Sequence, residues 1–169
     1  NEHPWHMHET MEIIYVLKGT VECGISIYPS VLEAGDIAVV NTETLHHYKG
    51  SEDNVTIVCH LDLEHFNAII PEIDNTLIIC NSAAAVEYDK HYNLLKKALS
   101  DVFALYFGLR EPLQDELMDR CVDFLSVMFN HFNFLRHDGA QIHSENVMKQ
   151  RPLQAERIKR VMRDIYDNL

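Results

Sequence analysis

Three histidines and one glutamate lie near the start of the chain at spacings that could bring them into one small polar site. His6, His8 and Glu12 are separated by even numbers of residues, and side chains an even number apart in an extended strand share a face. Ile14 has the same parity and would lie on the same face. The three polar groups would therefore form the solvated end of an otherwise apolar strand face. His46 is a fourth ligand candidate, and it must reach the site from elsewhere in the sheet.

Glu12 carries most of the chemical argument, because an interior carboxylate without a partner costs several kcal/mol and tends to take up a proton. A metal ion, an imidazolium or a polar ligand would each satisfy it. The histidines alone say less, since a histidine inside a sheet is often a hydrogen-bonded core residue. The combination therefore favours a binding site over plain core packing.

The spacing from His6 to Gly19, H-x-H-x-x-x-E-x-x-x-x-x-x-G, resembles the first motif of the cupin superfamily. Gly35-Asp36 followed by His46 resembles the second motif. In that motif Asn41 stands where proline is commoner, and Glu43 stands where glycine is commoner. Both departures affect the shape of a turn more than they affect the ligands.

The resemblance implies a cupin double-stranded β-helix, a jelly-roll barrel with a pocket inside. In metal-binding cupins the residues that match His6, His8, Glu12 and His46 are the ligands. Three imidazoles and one carboxylate suit a divalent transition metal such as zinc, iron, manganese or nickel, with one or two positions left open. Regulator-type cupins frequently lack the metal, so the resemblance leaves its presence open.

A small molecule in the same pocket would need further contacts. Trp5 has the character of a rim aromatic, although packing at the start of a strand is an equally ordinary role for it. Tyr48 and His60 can face either the pocket or the surface, while His47 is expected to face outward beside His46. The predicted ligand-binding set is Trp5, His6, His8, Glu12, His46, Tyr48 and His60.

The net charge of −12 is unevenly spread along the chain. Residues 1–85 hold 13 acidic and two basic side chains, whereas residues 86–169 hold 13 acidic and 12 basic ones. The acidic first half would repel a phosphate backbone. Neutral polyols, sugars, cations or a metal ion are therefore more favourable ligands. The four cysteines form no C-x-x-C pair, so a reducing cytoplasm fits best. The sequence shows neither a signal-peptide pattern nor an apolar run long enough to cross a membrane.

The pattern of short apolar runs and turn signals predicts a barrel over residues 1–85. Predicted strands cover residues 11–17, 20–28, 37–40, 55–61 and 76–80, with Pro29 breaking the second. A short helix is expected over residues 63–70. Beyond residue 86 the apolar period lengthens to three and four, which predicts two antiparallel helices, the second opened by Pro112. A third helix is expected over residues 153–168.

The second helix carries an apolar stripe that is wider than one neighbouring helix would cover. Four of its residues are expected at a dimer interface: Leu117, Phe124, Met128 and Phe132. The same residues could instead pack on the barrel, because an apolar helix face is more often core than interface. Residues 86–150 are accordingly interpreted as a helical dimerisation region, and residues 151–169 as a connector or the first helix of a further domain.

A single cupin barrel followed by a helical pair resembles the ligand-sensing half of an AraC/XylS-type transcription regulator. The resemblance rests on residues 12–19, Gly35-Asp36, His46, the run Tyr88-Asp89-Lys90, and residues 156–169. It implies a small-molecule effector in the barrel, often a sugar or related metabolite, and a homodimer formed through the helices. DNA contact would belong to two helix-turn-helix units that follow the sensor and are absent from this chain.

A metal-dependent cupin enzyme, an isomerase or a dioxygenase, is the competing interpretation. The complete four-ligand set favours it. Against it, about half of the chain is helical appendage, with no other acid, base or nucleophile constellation and no phosphate loop. A pure scaffold would not need Glu12 and the histidines together. The sequence therefore favours a sensor that is not an enzyme.

Overall fold

Most strands of the protein precede its helices. The computed structural model describes residues 2–26, 28–64, 76–85, 90–108, 114–136 and 141–142. The strands in these ranges are β1 (Glu2–His6), β2 (Met11–Lys18), β3 (Thr20–Ile25), β4 (Tyr28–Glu33), β5 (Ile37–Val40), β6 (His46–Gly50), β7 (Val55–Leu61), β8 (Thr76–Ile79), β9 (Asn133–Arg136) and β10 (Gln141–Ile142). The helices are a 3-10 helix (Ser82–Ala84), α1 (Lys90–Gly108) and α2 (Gln114–His131). The predicted class, mainly β with α, is confirmed.

Two antiparallel sheets enclose the interior of the barrel. One has the order β1-β6-β3-β4 and the other the order β5-β2-β7. Their facing sides share one buried apolar cluster, formed by Ile14, Val16, Val21, Cys23, Leu32, Ala38 and Val40. Non-consecutive strands pair within each sheet, as in a double-sheet jelly roll. The predicted barrel is therefore present.

The outer side of the sheet β5-β2-β7 packs against the helices. Met11 and Ile13 of β2 lie in a second buried cluster with Leu95 and Leu99 of α1 and Met128 of α2. Side chains alternate along a strand, so β2 faces the barrel interior with one set of residues and the helices with the other. The barrel and the helical pair are thus joined by a continuous core.

Two of the predicted strand boundaries differ from the observed ones, and the observed turns give the reason. Residues 20–28 do not form one strand, because β3 ends at Ile25 and Ser26 takes a positive φ of 55°. Pro29 does not break a strand either, since it lies inside β4. That strand is at the edge of its sheet and pairs only with β3, where the missing N–H of proline is tolerated. The sharp turn between β2 and β3 uses Gly19, whose φ of 73° suits glycine best.

A third sheet, of order β10-β9-β8, was not predicted from the sequence. β8 falls in the segment expected to form the barrel, and β9 comes from the segment expected to be helical. Strand pairing therefore crosses residue 85, while the interpretation of residues 86–150 as a dimerisation region stays a prediction. The helix expected over residues 153–168, most of the one expected over 63–70, and Tyr88-Asp89 lie outside the described residues.

The residues expected at a dimer interface are mostly covered by their own chain. Phe124, Met128 and Phe132 are buried in the core shared with the barrel, whereas Leu117 is half-buried. Their burial follows the alternative in which the helical stripe packs on the barrel, since they share a core with the outer face of β2. Homodimer formation stays a prediction. Among the described residues, neither α1 nor α2 combines the length and apolar content of a membrane span.

Candidate metal centre

The four predicted ligands meet at one end of the barrel, and both sheets contribute. His6 ends β1 and His46 begins β6, its antiparallel neighbour. Glu12 comes from β2 in the opposite sheet, and His8 lies in the segment that crosses between them. The even spacing of His6, His8 and Glu12 predicted that they share one face of a single extended strand. The single strand is wrong, but the side chains do lie together.

The ligand atoms of these four residues all lie within 4.8 Å of one another. His8 Nε2 is 2.9 Å and His46 Nε2 is 3.6 Å from the same oxygen, Oε2 of Glu12. Glu12 is 2% exposed and His46 is fully buried. Two ligands bound at about 2.1 Å to one ion lie at most about 4.2 Å apart. Small side-chain movements would therefore bring all four atoms onto one ion.

Backbone carbonyls fix the orientation of all three imidazoles. Nδ1 of His6 donates to the carbonyl oxygen of Pro4 at 2.8 Å. Nδ1 of His8 donates to that of Thr10 at 2.8 Å, and Nδ1 of His46 to that of Thr44 at 2.7 Å. A carbonyl oxygen only accepts, so each Nδ1 must carry the hydrogen. Each neutral ring then turns the lone pair of Nε2 toward the cluster, as metal-binding histidines do.

This orientation favours a cation between His8 and Glu12. A neutral His8 would set its Nε2 lone pair 2.9 Å from a carboxylate oxygen, and two acceptors repel at that distance. An imidazolium or a metal ion would remove the repulsion. Nε2 of His46 is also buried and has no hydrogen-bond partner among the described residues, a costly state that a metal bond would relieve.

These features fit a divalent transition metal held by His6, His8, Glu12 and His46. Burial lowers the pKa of His46 below its ordinary value, so this ring is neutral near pH 7 and able to bind a metal. When bound, such an ion acts as a Lewis acid with open positions for oxygen ligands. Neutral imidazole nitrogens and a carboxylate oxygen are donor types that suit a divalent transition metal.

Tyr48 and His60 both lie beside this cluster. Burial, reinforced by the charge of Glu12, raises the pKa of the Tyr48 phenol, so its Oη keeps a proton to donate. That Oη is buried near Glu12 and makes no hydrogen bond of good geometry within the described part of the chain. His60 is half-exposed, with its Nε2 3.8 Å from Oε2 of Glu12 and its Nδ1 3.0 Å from Oγ1 of Thr10. Both predicted pocket residues are therefore adjacent to the candidate metal centre.

Trp5 does not join the cluster. Its ring contacts that of His47, with centroids 4.2 Å apart and planes tilted by 53°. Both side chains lie over Gly24, where a Cβ would collide with them. Trp5 and His47 are chain neighbours of the inward-facing His6 and His46, so alternation turns them to the outer face. The role of Trp5 as a ligand-binding residue therefore stays a prediction, while His47 faces outward as expected.

A cavity of about 410 Å³ begins beside the cluster and opens between β1 and β7. Its lining residues are His3, Ile14, Val21, Tyr48, Gly50, Asn54, Val55, Thr56 and Val58. Tyr48 belongs to both the cavity wall and the surroundings of the cluster. His3 was not among the predicted site residues. It shares the inner face with His6 because the pairing of β1 and β6 is irregular between them. Strand periodicity contains no signal for such an irregularity.

The matches to known proteins cover only part of this chain. No curated protein matches the chain. Among solved structures, the chain is similar to KdgF from a Halomonas species, with 25% identity, a TM-score of 0.32, and coverage of 34% of this chain and 54% of the other.

Two cupins from Shewanella frigidimarina NCIMB 400 are also similar to the chain. A cupin-2 domain containing protein has 25% identity and a TM-score of 0.33, over 36% of this chain and 62% of the other. An RmlC-like cupin has 23% identity and a TM-score of 0.31, over 34% and 50%. The chain thus spans only about half to three fifths of the length of the structures it matches. Residues 1–61 match the family model described as Cupin domain, and with the two facing antiparallel sheets they form a cupin jelly roll, followed by helices.

Proposed function

We propose that this chain is the effector-sensing and dimerisation part of an AraC/XylS-type transcription regulator that acts in the cytoplasm. The effector is a small molecule, a sugar or related metabolite, bound in the cupin barrel beside a divalent transition metal. The chain performs no catalysis in this proposal. DNA contact belongs to a helix-turn-helix part outside residues 1–169.

The observation that carries the proposal is the double role of β2. Glu12 and Ile14 face the candidate metal centre and the cavity, whereas Met11 and Ile13 lie in the core shared with α1 and α2. Packed cores do not deform smoothly. A ligand that shifts β2 would therefore change how the helices pack, and that change is the signal of a sensor.

Polar contacts form a second link between the barrel and α1. Oδ1 of Asp36, in the turn before β5, accepts a hydrogen bond from Oγ of Ser82 at 2.7 Å. Nζ of Lys96 in α1 donates to the carbonyl oxygen of Gly35 at 2.9 Å. The hydroxyl of Tyr92 in α1 donates to the carbonyl oxygen of Asn81 at 3.2 Å. The turn of the second cupin motif is thus fastened to the first helix.

The cavity favours an uncharged effector. No lysine, arginine, aspartate or glutamate is among its lining residues, so an ionic group would lose hydration without gaining a partner. Asn54, Thr56, His3 and the Tyr48 phenol offer hydrogen bonds, and the valines offer apolar contact. A neutral molecule with several hydroxyl groups and an apolar face fits this lining.

The test is calorimetric titration with Zn²⁺ and then with a panel of neutral sugars and polyols, followed by amide hydrogen exchange. A ligand that binds in the cavity is expected to change exchange rates in α1 and α2 as well as in β2. Val58→Trp, which fills the cavity, should abolish sugar binding, and Val31→Trp on the outer face is the matched control. Binding that leaves both helices unchanged would contradict the sensor role.

A metal-dependent cupin enzyme is the second candidate, favoured by the completeness of the four-ligand set. His8→Ala and Glu12→Ala separate the two candidates in the full-length protein. Loss of the transcriptional response to effector, with no turnover by the parent, supports the sensor. Loss of a measurable reaction supports the isomerase or dioxygenase.

A further inference from the structure

Four side chains at the mouth of the barrel form a closed ring of polar contacts. Oε2 of Glu12 lies 2.9 Å from Nε2 of His8, and Nδ1 of His8 lies 3.1 Å from Oγ1 of Thr10. The same hydroxyl oxygen lies 3.0 Å from Nδ1 of His60, whose Nε2 lies 3.8 Å from Oε2 of Glu12. Two of the four members, Thr10 and His60, lie outside the four-ligand set.

One hydrogen of Thr10 fixes the direction of this ring. Nδ1 of His8 must be a donor, because it also contacts the carbonyl oxygen of Thr10. The Thr10 hydroxyl therefore accepts from His8, and its own hydrogen is available for Nδ1 of His60, 3.0 Å away. With Nδ1 of His60 accepting, a neutral ring carries its hydrogen on Nε2, the nitrogen that faces Glu12.

We propose that Thr10 and His60 are positioning residues for the metal centre. The Thr10 hydroxyl turns the Nε2–H of His60 toward Glu12, and this N–H, 3.8 Å from Oε2, attracts the carboxylate electrostatically without a direct hydrogen bond. The inference rests on the proposed metal binding. Ligating carboxylates are usually held by such outer partners, and removing a partner typically weakens metal binding about 10- to 100-fold.

The alternative state of His60 shows why the hydroxyl matters. Without it, Nδ1 of His60 loses its donor, so the ring gains nothing from keeping its hydrogen on Nε2. A lone pair on Nε2 would repel the Glu12 carboxylate, which then loses its preferred orientation. His60 itself is half-exposed, so this effect should appear in metal affinity more than in folding stability.

The test uses Thr10→Val, which keeps the shape of the side chain and removes the hydroxyl, and Thr10→Ser, which keeps the hydroxyl. His60→Phe removes both ring nitrogens, and His47→Ala, outside the cluster, is the control. Zn²⁺ dissociation constants are measured by competition with a chromophoric chelator. The absorption spectrum of bound Co²⁺ reports ligand geometry, and the Tm of the metal-free protein reports folding.

Thr10→Val and His60→Phe are each expected to raise the Zn²⁺ dissociation constant about 10- to 100-fold with little change in Tm. Thr10→Ser and His47→Ala should stay close to wild type. The double variant should bind no more weakly than the weaker single one, because the two residues act as a unit.

Wild-type affinity in Thr10→Val, or equal losses in Thr10→Ser and Thr10→Val, would overturn the inference and leave the metal site standing. Fully additive losses in the double variant would overturn it as well. If the wild-type protein itself bound neither Zn²⁺ nor Co²⁺, the proposed metal centre would fall, and the positioning role with it.

Discussion

Glu12 and Ile13 are consecutive residues of β2 that belong to different layers of the protein. The carboxylate of Glu12 lies in the candidate metal centre, and Ile13 is fully buried in the core that the barrel shares with α1 and α2. One peptide bond therefore separates the binding chemistry from the helical packing. The coupling proposed for the sensor depends on this arrangement.

Shortening Ile13 should cost much of the stability of the fold. Ile13→Ala removes buried methyl groups between the sheet and the helices, and such changes cost about 2–5 kcal/mol. Val31→Ala on an exposed position of β4 should cost no more than about 0.5 kcal/mol. Urea unfolding followed by circular dichroism measures both. Similar midpoints for the two variants would contradict the continuous core.

Substitution of two neighbouring histidines in β6 should have different effects on Zn²⁺ affinity. His46→Ala removes a buried ligand candidate, so Zn²⁺ affinity should fall further than the about 10- to 100-fold expected for an outer partner. His47→Ala leaves the cluster intact and should bind Zn²⁺ as the wild type does. Metal analysis after dialysis, with calorimetric titration, distinguishes them. Equal affinity in both variants would remove His46 from the metal site.

The sequence predicted the site better than the path by which the chain builds it. The spacing of His6, His8, Glu12 and His46 indicated a cluster, because those residue types are costly to bury apart from a shared partner. The crossing between sheets at residues 7–10 was missed, since alternation alone cannot distinguish one long strand from two strands joined by a short crossing.

Other differences came from long-range contacts that local patterns do not encode. The wide apolar stripe on α2 was interpreted as a dimer interface, with packing on the barrel as the alternative. Its buried residues share one core with α1 and with the outer face of β2. β9 forms beyond α2 because β8, more than 50 residues earlier in the chain, offers it an edge. Thr10 was overlooked because its role depends on His60, which strand pairing brings next to it.

Native cysteines should react slowly with thiol reagents. Burial raises the pKa of Cys23 and Cys59 to about 11 and that of Cys80 to about 12, so little thiolate exists at pH 8. Burial also raises the pKa of Cys121. Labelling with a chromogenic disulfide at pH 8 should be slow in the native protein and complete in guanidinium. Fast native labelling of any of these thiols would contradict its burial.

The same shifts predict loss of stability in alkali. A thiol whose pKa is raised by folding stabilises the native state fully below its unfolded pKa, about 9 for these groups. That contribution is lost as the pH rises through the folded values of about 11 to 12. Unfolding midpoints measured from pH 8 to 11 should fall for the wild type. Cys80→Ala should reduce the dependence, and an unchanged dependence would exclude Cys80 as a source.

Ser82 should matter more for stability than its short side chain suggests. Its Oγ donates to Asp36 and accepts from the backbone N–H of Ile37 at 2.9 Å. Ser82→Ala would leave a half-buried donor and acceptor unpaired, which costs about 1–3 kcal/mol. The exposed pair of Lys18 and Asp53 provides the comparison, since Lys18→Ala should cost less than about 1 kcal/mol. A smaller loss in Ser82→Ala than in Lys18→Ala would contradict the link between the second motif and the helices.

The predicted homodimer can be tested against the burial of the α2 stripe. Light scattering after size exclusion should give about twice the chain mass of 19.6 kDa at micromolar concentration. Leu117→Ser, at the half-buried end of the stripe, should shift the protein toward monomer while its Tm changes little. Met128 is fully buried within the chain, so Met128→Ser should lower the Tm strongly instead. A monomeric wild type would remove the dimer from the proposal. A dimer unaffected by Leu117→Ser would place the interface away from α2.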